Sequence, residues 1–449
     1  MEALTLSVAL AAVVIVLASR PVYGLVAYLA VMLLYPDYLR VSLGTVDISA
    51  CRIIVTVLLI RCVVDAGVMS RFHWKPLDTL VALSMIVYAV TLSFTTSFDV
   101  WIENRAGFVM DTFFAYLAVR FVIVDRPSFV TVAKAAALMT ALLAVHGVAE
   151  TFTGWSLYQG LGQYCPFAHT KGMEYQTRFD LNRAMGPTGE TILFGLSFAS
   201  VIPVIWMLRH EAPPWNRRAY VLTICGIVGV LSTVSSGPYM ALIVVLVCLS
   251  LEYAKSLVKP LIVFLVLGCL AVEMISNRHF YYVLADFTMD SDSGWYRARL
   301  IDVAIRRLPE YWLYGYGLGD PGWGPDINEL PRTDIVNDFV CCAAQHGLIA
   351  LAVYIGILAC AMGGVARVSA HASAWHRSCC WALGSSLVAI LTASWSVSLF
   401  GQMTTVFYAL LGLNGAAPWL AVCDHRRRLL TPAAAGTLKR PVGATRFRF

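Results

Sequence analysis

Charge is what this sequence has least of. Only 13% of its 449 residues are Asp, Glu, Lys or Arg, where a soluble domain carries roughly 25%. So little charge cannot cover a water-facing surface, which excludes soluble enzymes, nucleic-acid binders and disordered chains. Metal-ligand spacing is missing too. Of the twelve cysteines, Cys341-Cys342 and Cys379-Cys380 are adjacent pairs rather than C-x-x-C. Cys51, Cys62, Cys225, Cys248, Cys269 and Cys360 lie inside apolar runs, where they act as small hydrophobes. A secreted disulfide scaffold is thereby excluded, and neither a metal nor a cofactor is expected. Internal repeats and paired broken helices, the marks of many transporters, are also lacking.

What is present is hydrophobic sequence, 59% of the chain. Crossing a bilayer takes about 20 apolar residues. Such runs recur near residues 3–19, 22–38, 46–65, 77–96, 104–123, 129–149, 188–208, 219–236, 238–254, 260–275, 340–362, 379–399 and 403–422. The predicted fold is all-α: a polytopic transmembrane helix bundle of about 12–13 spans with two outer loops. N-terminal transmembrane helices occupy 1–149, a first outer loop 150–187 and central transmembrane helices 188–275. A large outer loop containing short amphipathic helices follows over 276–339. C-terminal transmembrane helices take 340–422, and a basic cytosolic tail takes 423–449.

The net charge of +6 is explained by orientation. Arg71 and Lys75, Arg120 and Arg126, Arg209, Arg217 and Arg218, Lys255 and Lys259, and Arg367 and Arg377 occupy alternate short loops. All fall on one side if each run crosses once, and the positive-inside rule makes that side the cytosol. The two long loops then face outward, yet they hold Lys171, Arg178, Arg183, Arg278, Arg297, Arg299, Arg306, Arg307 and Arg332. A guanidinium is the side chain best matched to phosphate, because its planar fork makes two parallel charged hydrogen bonds. These arginines point to an anionic ligand at the bilayer surface; lipid-headgroup contact, or salt bridges to Asp286, Asp290, Asp292 and Asp302, is the competing explanation.

The larger loop has internal order. Leu300, Ala304 and Leu308 share one helical face and Arg299, Asp302 and Arg306 another, the pattern of an interfacial amphipathic helix. Pro309 ends it, and Tyr314-Gly315-Tyr316-Gly317-Leu318-Gly319 follows with three glycines suited to tight turns.

Five stretches, in this order, resemble the O-antigen ligase and O-antigen polymerase family of bacterial membrane glycosyltransferases. They are Glu150-Thr151-Phe152-Thr153-Gly154, then Arg183-Ala184-Met185-Gly186-Pro187, then Ser235-Ser236-Gly237-Pro238. Arg297 with Leu308-Pro309 and Gly315-Tyr316-Gly317 is the fourth, and Asn337-Asp338 with Gly347-Leu348-Ile349 the fifth. The resemblance implies a metal-independent glycosyltransferase in the bacterial inner membrane, working at the periplasmic face in cell-surface polysaccharide synthesis, on O-antigen or exopolysaccharide. Its donor would be an undecaprenyl-pyrophosphate-linked glycan and its acceptor a glycan or lipid. Arg183 and Arg297 match positions expected to bind the carrier pyrophosphate, with Arg299 competing for the second role and Arg178 nearby. Family ligases usually have His-Asn where this chain has Val336-Asn337, so any general base must be another group. Asp338 is favoured, with Asp334, Glu190, His279 and His346 as further candidates; for Asp338 the alternative is a helix N-cap. The missing histidine shifts the reading from strict ligase toward polymerase or a divergent extracellular-glycan transferase. A transporter or flippase of lipid-linked glycans is the alternative function, disfavoured because the polar residues gather at one face.

Overall fold

The computed structural model describes residues 1–43, 46–164, 176–285, 288–328, 331–369 and 373–430. Lys171, Asp286 and the tail beyond residue 430 lie outside the described residues.

Helices occupy every apolar run. In chain order they are α1 (Glu2–Ala18), α2 (Pro21–Leu34), α3 (Ala50–Val64), α4 (Pro76–Ser93), α5 (Phe98–Val109), α6 (Ala115–Val122), α7 (Arg126–Thr153) and α8 (Thr191–Met207). There follow α9 (Trp215–Leu231), α10 (Ser236–Leu251), α11 (Val258–Ile275), α12 (Phe280–Ala285), α13 (Ser291–Arg306), α14 (Asp338–Ser369), α15 (Ala374–Ser394) and α16 (Gln402–Leu430). Sheet is confined, among the described residues, to two antiparallel hairpins: β1 (Arg40–Leu43) with β2 (Val46–Ser49), and β3 (Thr177–Arg178) with β4 (Leu181–Asn182). Among the described residues, five helical stretches are long and apolar enough to cross a membrane: Pro76–Ser93, Arg126–Thr153, Thr191–His210, Lys255–Ile275 and Asp338–Arg367. Glu2–Ala18, Pro21–Leu34 and Ser236–Leu251 are apolar but shorter.

Helix ends depart from the apolar runs for local reasons. The second helix stops at Leu34 because Pro36 drives Tyr35 into extended backbone. The third starts only at Ala50, since Val46–Ser49 is spent in a hairpin and the Ser49 hydroxyl then caps the Arg52 N–H at 3.4 Å. Between α5 and α6 the helix widens into a π turn over Met110–Phe114. The largest difference is in α14, which is broken at Gly347 (φ 79°, ψ 177°).

That break explains the glycine-rich stretch of the large loop. The Tyr316 and Gly317 amides donate to the Ala344 and Gln345 carbonyls at 2.6 and 3.1 Å, and the Leu348 amide donates to Trp312 O at 2.7 Å. The loop thus supplies partners that the interrupted helix would leave empty. A Cβ at Gly315, whose φ is +77°, would lie 2.3 Å from the Gln345 carbonyl carbon, so only glycine fits. The amphipathic pattern of α13 is realised: Leu300, Val303 and Ala304 are buried against Tyr311, Trp323 and Ile327.

The centre of the body is α8, nearly all of whose side chains are buried against α7, α9, α10 and α15. By contrast, α11 buries none of its residues. At the end with the short connections, arginines are matched by carboxylates. Arg120 meets Asp78 at 2.8 Å, Arg126 meets Glu211 at 2.8 Å and Arg209 meets Glu252 at 2.6 Å.

Candidate functional site

The opposite end, where the two long loops sit, is organised around the turn between α9 and α10. Its first fixed point is Glu150 in the last turns of α7. This carboxylate is fully buried and accepts the Gly186 N–H at 3.1 Å. One residue on, the Thr151 hydroxyl donates to Ser232 O at 2.7 Å, and the Ala184 amide reaches the same carbonyl at 3.2 Å. Gly154 (φ +67°) then ends the helix in the left-handed conformation. The Glu-Thr-Phe-Thr-Gly stretch is therefore a clasp: it holds the Arg183–Pro187 segment against the turn that carries Ser235. Gly186 must be glycine there, because its φ is +52° and a Cβ would lie 2.4 Å from the Phe194 ring.

Held this way, Arg183 is only 8% exposed. Its Nη2 donates to Thr191 Oγ1 at 2.6 Å and to Ser235 Oγ at 3.2 Å, and its Nη1 donates to the Gln176 side chain. Its Nε has no partner among the described residues. Burial pulls this guanidinium below its ordinary value and the nearby charge of Arg178 adds to the effect. Arg178, on β3, points its Nη1 at Val234 O from 3.5 Å. Val234 is a β-branched residue held at φ +43°, a costly conformation of the kind that concentrates at functional sites. Arg297, on α13, donates to Ser396 O at 3.1 Å. Burial again lowers its basicity, with Asp290 and Asp334 opposing and Arg178 adding to the shift. A cavity of about 100 Å3 lies beside it, lined by Ser236, Gly237, Met240, Tyr281 and Trp395.

Arg178 and Arg183 reach the consecutive residues Val234 and Ser235, and Arg297 shares a cavity wall with Ser236 and Gly237, so the three guanidiniums gather around one turn. None of them makes an ion pair among the described residues. Burying positive charge without a counter-ion is costly; an anion bound here would relieve that cost.

The remaining candidates fall in different places. Arg299 is turned to another face of α13 and donates to Ile327 O at 2.7 Å, away from the cluster. Arg52 is committed to Asp111 through two bonds of 3.0 and 2.7 Å. Glu190 lies within electrostatic reach of Arg183 and accepts from the Thr191 hydroxyl at 3.4 Å. Asp334 lies within electrostatic reach of Arg297, though Asp290 acts on that guanidinium more strongly; partial desolvation raises the pKa of Asp334, and Arg297 opposes the rise. Asp338 accepts the Tyr354 hydroxyl at 2.7 Å and the Leu399 amide at 2.8 Å. The N-cap of α14 is Asn337 rather than Asp338, its Oδ1 accepting the Phe339 and Val340 amides at 3.0 and 3.1 Å. His346 is a packed polar group, stacked on Tyr88 at 4.7 Å and bonded to Thr91 at 3.0 Å. His279 faces Glu273 at 2.6 Å on the exposed side of the loop. Of the outer aspartates offered as salt-bridge partners, Asp302 instead accepts the Tyr281 and Tyr282 hydroxyls.

Sequence reasoning missed the connection between α15 and α16. Its Trp395 and Ser396 carbonyls accept Asn337 Nδ2 at 3.2 Å and Arg297 Nε at 3.1 Å. These are backbone acceptors, and nothing in the residue types marks them. Through this connection the fourth and fifth motif stretches join the first three. No family model and no curated protein matches the sequence.

Proposed function

We propose that this protein is a polytopic membrane glycosyltransferase of the O-antigen ligase and polymerase kind, taking a glycan from a polyprenyl-pyrophosphate carrier. The observation that carries the reading is that Arg178, Arg183 and Arg297, brought together from segments far apart in the chain, make no ion pair among the described residues. In this reading the helices form a transmembrane bundle in the bacterial inner membrane. The long-loop end faces the periplasm and the paired arginines face the cytosol, as the positive-inside rule requires.

The chemistry follows from the charge. An acceptor hydroxyl attacks the anomeric carbon of the carrier-linked sugar. The new glycosidic C–O bond forms as the bond to the pyrophosphate oxygen breaks, the electron pair leaving with the pyrophosphate. The hydroxyl proton passes to a carboxylate. Arg183 and Arg297 stabilise the charge growing on the leaving group, and their fixed positions spare reorganisation at the moment of reaction. Arg178 extends the same cradle. Asp334, which Arg297 influences and which makes no ion pair among the described residues, is taken as the general base, with Asp338 the alternative, already engaged by Tyr354 and Leu399.

The test is complementation of a deletion strain with wild type, Arg183→Ala or Arg297→Ala, at matched membrane expression. Short carrier-linked units persisting without long chains mean a polymerase; long chains stranded on the carrier mean a ligase. Unchanged glycans in both variants sink the arginine mechanism and bring back transport of lipid-linked glycans.

A further inference from the structure

The connection after α15 separates two cavities. On one side, Trp395 and Ser396 line the cavity beside Arg297. On the other, Leu399 lines a second cavity, also of about 100 Å3, whose wall includes Asp338, Tyr88, Gln345, His346 and Thr404. Its wall is largely apolar and aromatic, with the Gln345 amide and the Thr404 and Tyr408 hydroxyls among it, a mixture that suits the faces and edges of a sugar ring. The arginine cluster leaves this second cavity unused.

Behind the wall of the second cavity sits an arginine that no ion pair accounts for. Arg105, on α5, is 8% exposed. Its Nε and Nη2 reach only the side chain of the adjacent Asn104, and its Nη1 has no partner among the described residues. Arg52, Arg120 and Arg209, which also reach into the helical body, each hold a carboxylate, and Arg61 reaches the Val16 carbonyl. The Arg105 guanidinium lies 4.8 Å from the centre of the Phe108 ring, and Phe108 is itself part of the cavity wall. The charge is thus one aromatic layer from the open space, in surroundings that exclude water and screen it little.

We propose that this second cavity binds a sugar carrying an anionic group, a carboxylate or a phosphate, whose charge is matched by Arg105. Resting on the glycosyltransferase reading, it is the acceptor subsite. The Asp338 carboxylate lies in the wall of this subsite. The neutral hydroxyls of the wall hold the ring, and the buried guanidinium selects for charge.

The experiment uses the full-length protein in lipid nanodiscs and saturation-transfer NMR. Methyl glucuronide and glucose 6-phosphate are the charged probes, and methyl glucoside is the neutral one. At least one charged sugar is expected to bind about tenfold more tightly than methyl glucoside, and the better one identifies the anion. Arg105→Gln removes that preference, Arg105→Lys keeps most of it, and Arg297→Ala leaves it unchanged. Equal binding of all three sugars to the wild type overturns the proposal without recourse to any variant, so poor folding of Arg105→Gln does not protect it. A charge preference that survives Arg105→Gln but disappears in Arg297→Ala also overturns it, because the anion then sits in the other cavity. Inorganic pyrophosphate, titrated in parallel, separates the two readings: binding indifferent to Arg183→Ala and Arg297→Ala discredits the donor site while an Arg105-dependent preference stands.

Discussion

Two groups of arginines in this molecule are used in opposite ways, one at each end, although Arg307 in the large loop is itself paired with Glu310 and Asp326. At the short-loop end, Arg120, Arg126 and Arg209 each hold a carboxylate within 2.8 Å. At the long-loop end, Arg178, Arg183 and Arg297 hold only hydroxyl, amide and carbonyl oxygens. Carboxylates are present there too: Glu190, Asp290 and Asp334 are all felt electrostatically by the cluster, yet none closes to an ion pair. A paired arginine is finished, and its energy goes into holding helices together. An unpaired one keeps its strongest interaction in reserve, and that is what a binding site for a pyrophosphate needs.

Breaking a pair at the finished end gives the largest effect. Asp78→Ala leaves Arg120, 4% exposed, buried without its carboxylate, and should cost about 3–5 kcal/mol in unfolding measurements in detergent. Pyrophosphate binding by the folded fraction should be unchanged. At the other end the order reverses: Arg183→Ala or Arg297→Ala should lower transfer from a lipid-linked donor by about 10²–10³-fold, with little change in stability. An Arg183→Ala or Arg297→Ala protein destabilised as much as Asp78→Ala, whose folded fraction transfers at the wild-type rate, would erase the contrast between the ends.

Asp334→Asn sharpens the comparison by testing the carboxylate that faces the cluster without pairing. A general base works as the carboxylate, so with its pKa held above the usual range the rate should fall as pH drops through that raised value. The variant should lose this acid limb along with about 10²-fold in rate. An acid limb that persists in Asp334→Asn and vanishes in Asp338→Asn would transfer the role to Asp338. Gly186→Ala, forced to keep φ +52° against the Phe194 ring, should cost about 1–3 kcal/mol and weaken pyrophosphate binding by shifting Arg183. Arg299→Ala is expected to do least: about 1 kcal/mol, from the lost bond to Ile327 O, and no change in transfer.

Much of the architecture could be read along the chain. The apolar runs mark where helices form, and Pro36 and Ser49 account for ends that the runs alone misplace. Arg183 and Arg297 stood out among the nine lysines and arginines of the two long loops because they fall in stretches that resemble family motifs, and Arg178 because it lies near Arg183. Arg299 was inseparable from Arg297 two residues away; only the helix phase, with Ile327 on one side and Ser396 on the other, tells them apart. Arg105 was invisible, because an arginine beside Asn104 near the start of a helix reads as an ordinary polar end. The glycines at 315 and 317 read as tight-turn positions, but the sequence did not show that they fill a helix break at Gly347, about thirty residues further on.

The sequence by itself therefore determined that the protein is helical, apolar and basic at defined points. Hydropathy and chain-breaking act over a few neighbouring residues and can be summed locally. Which arginines find carboxylates, and which are left with none, was decided only by the tertiary structure. Pairing depends on atoms brought together from distant segments within about 3–4 Å. No count of charges along the chain carries that distance.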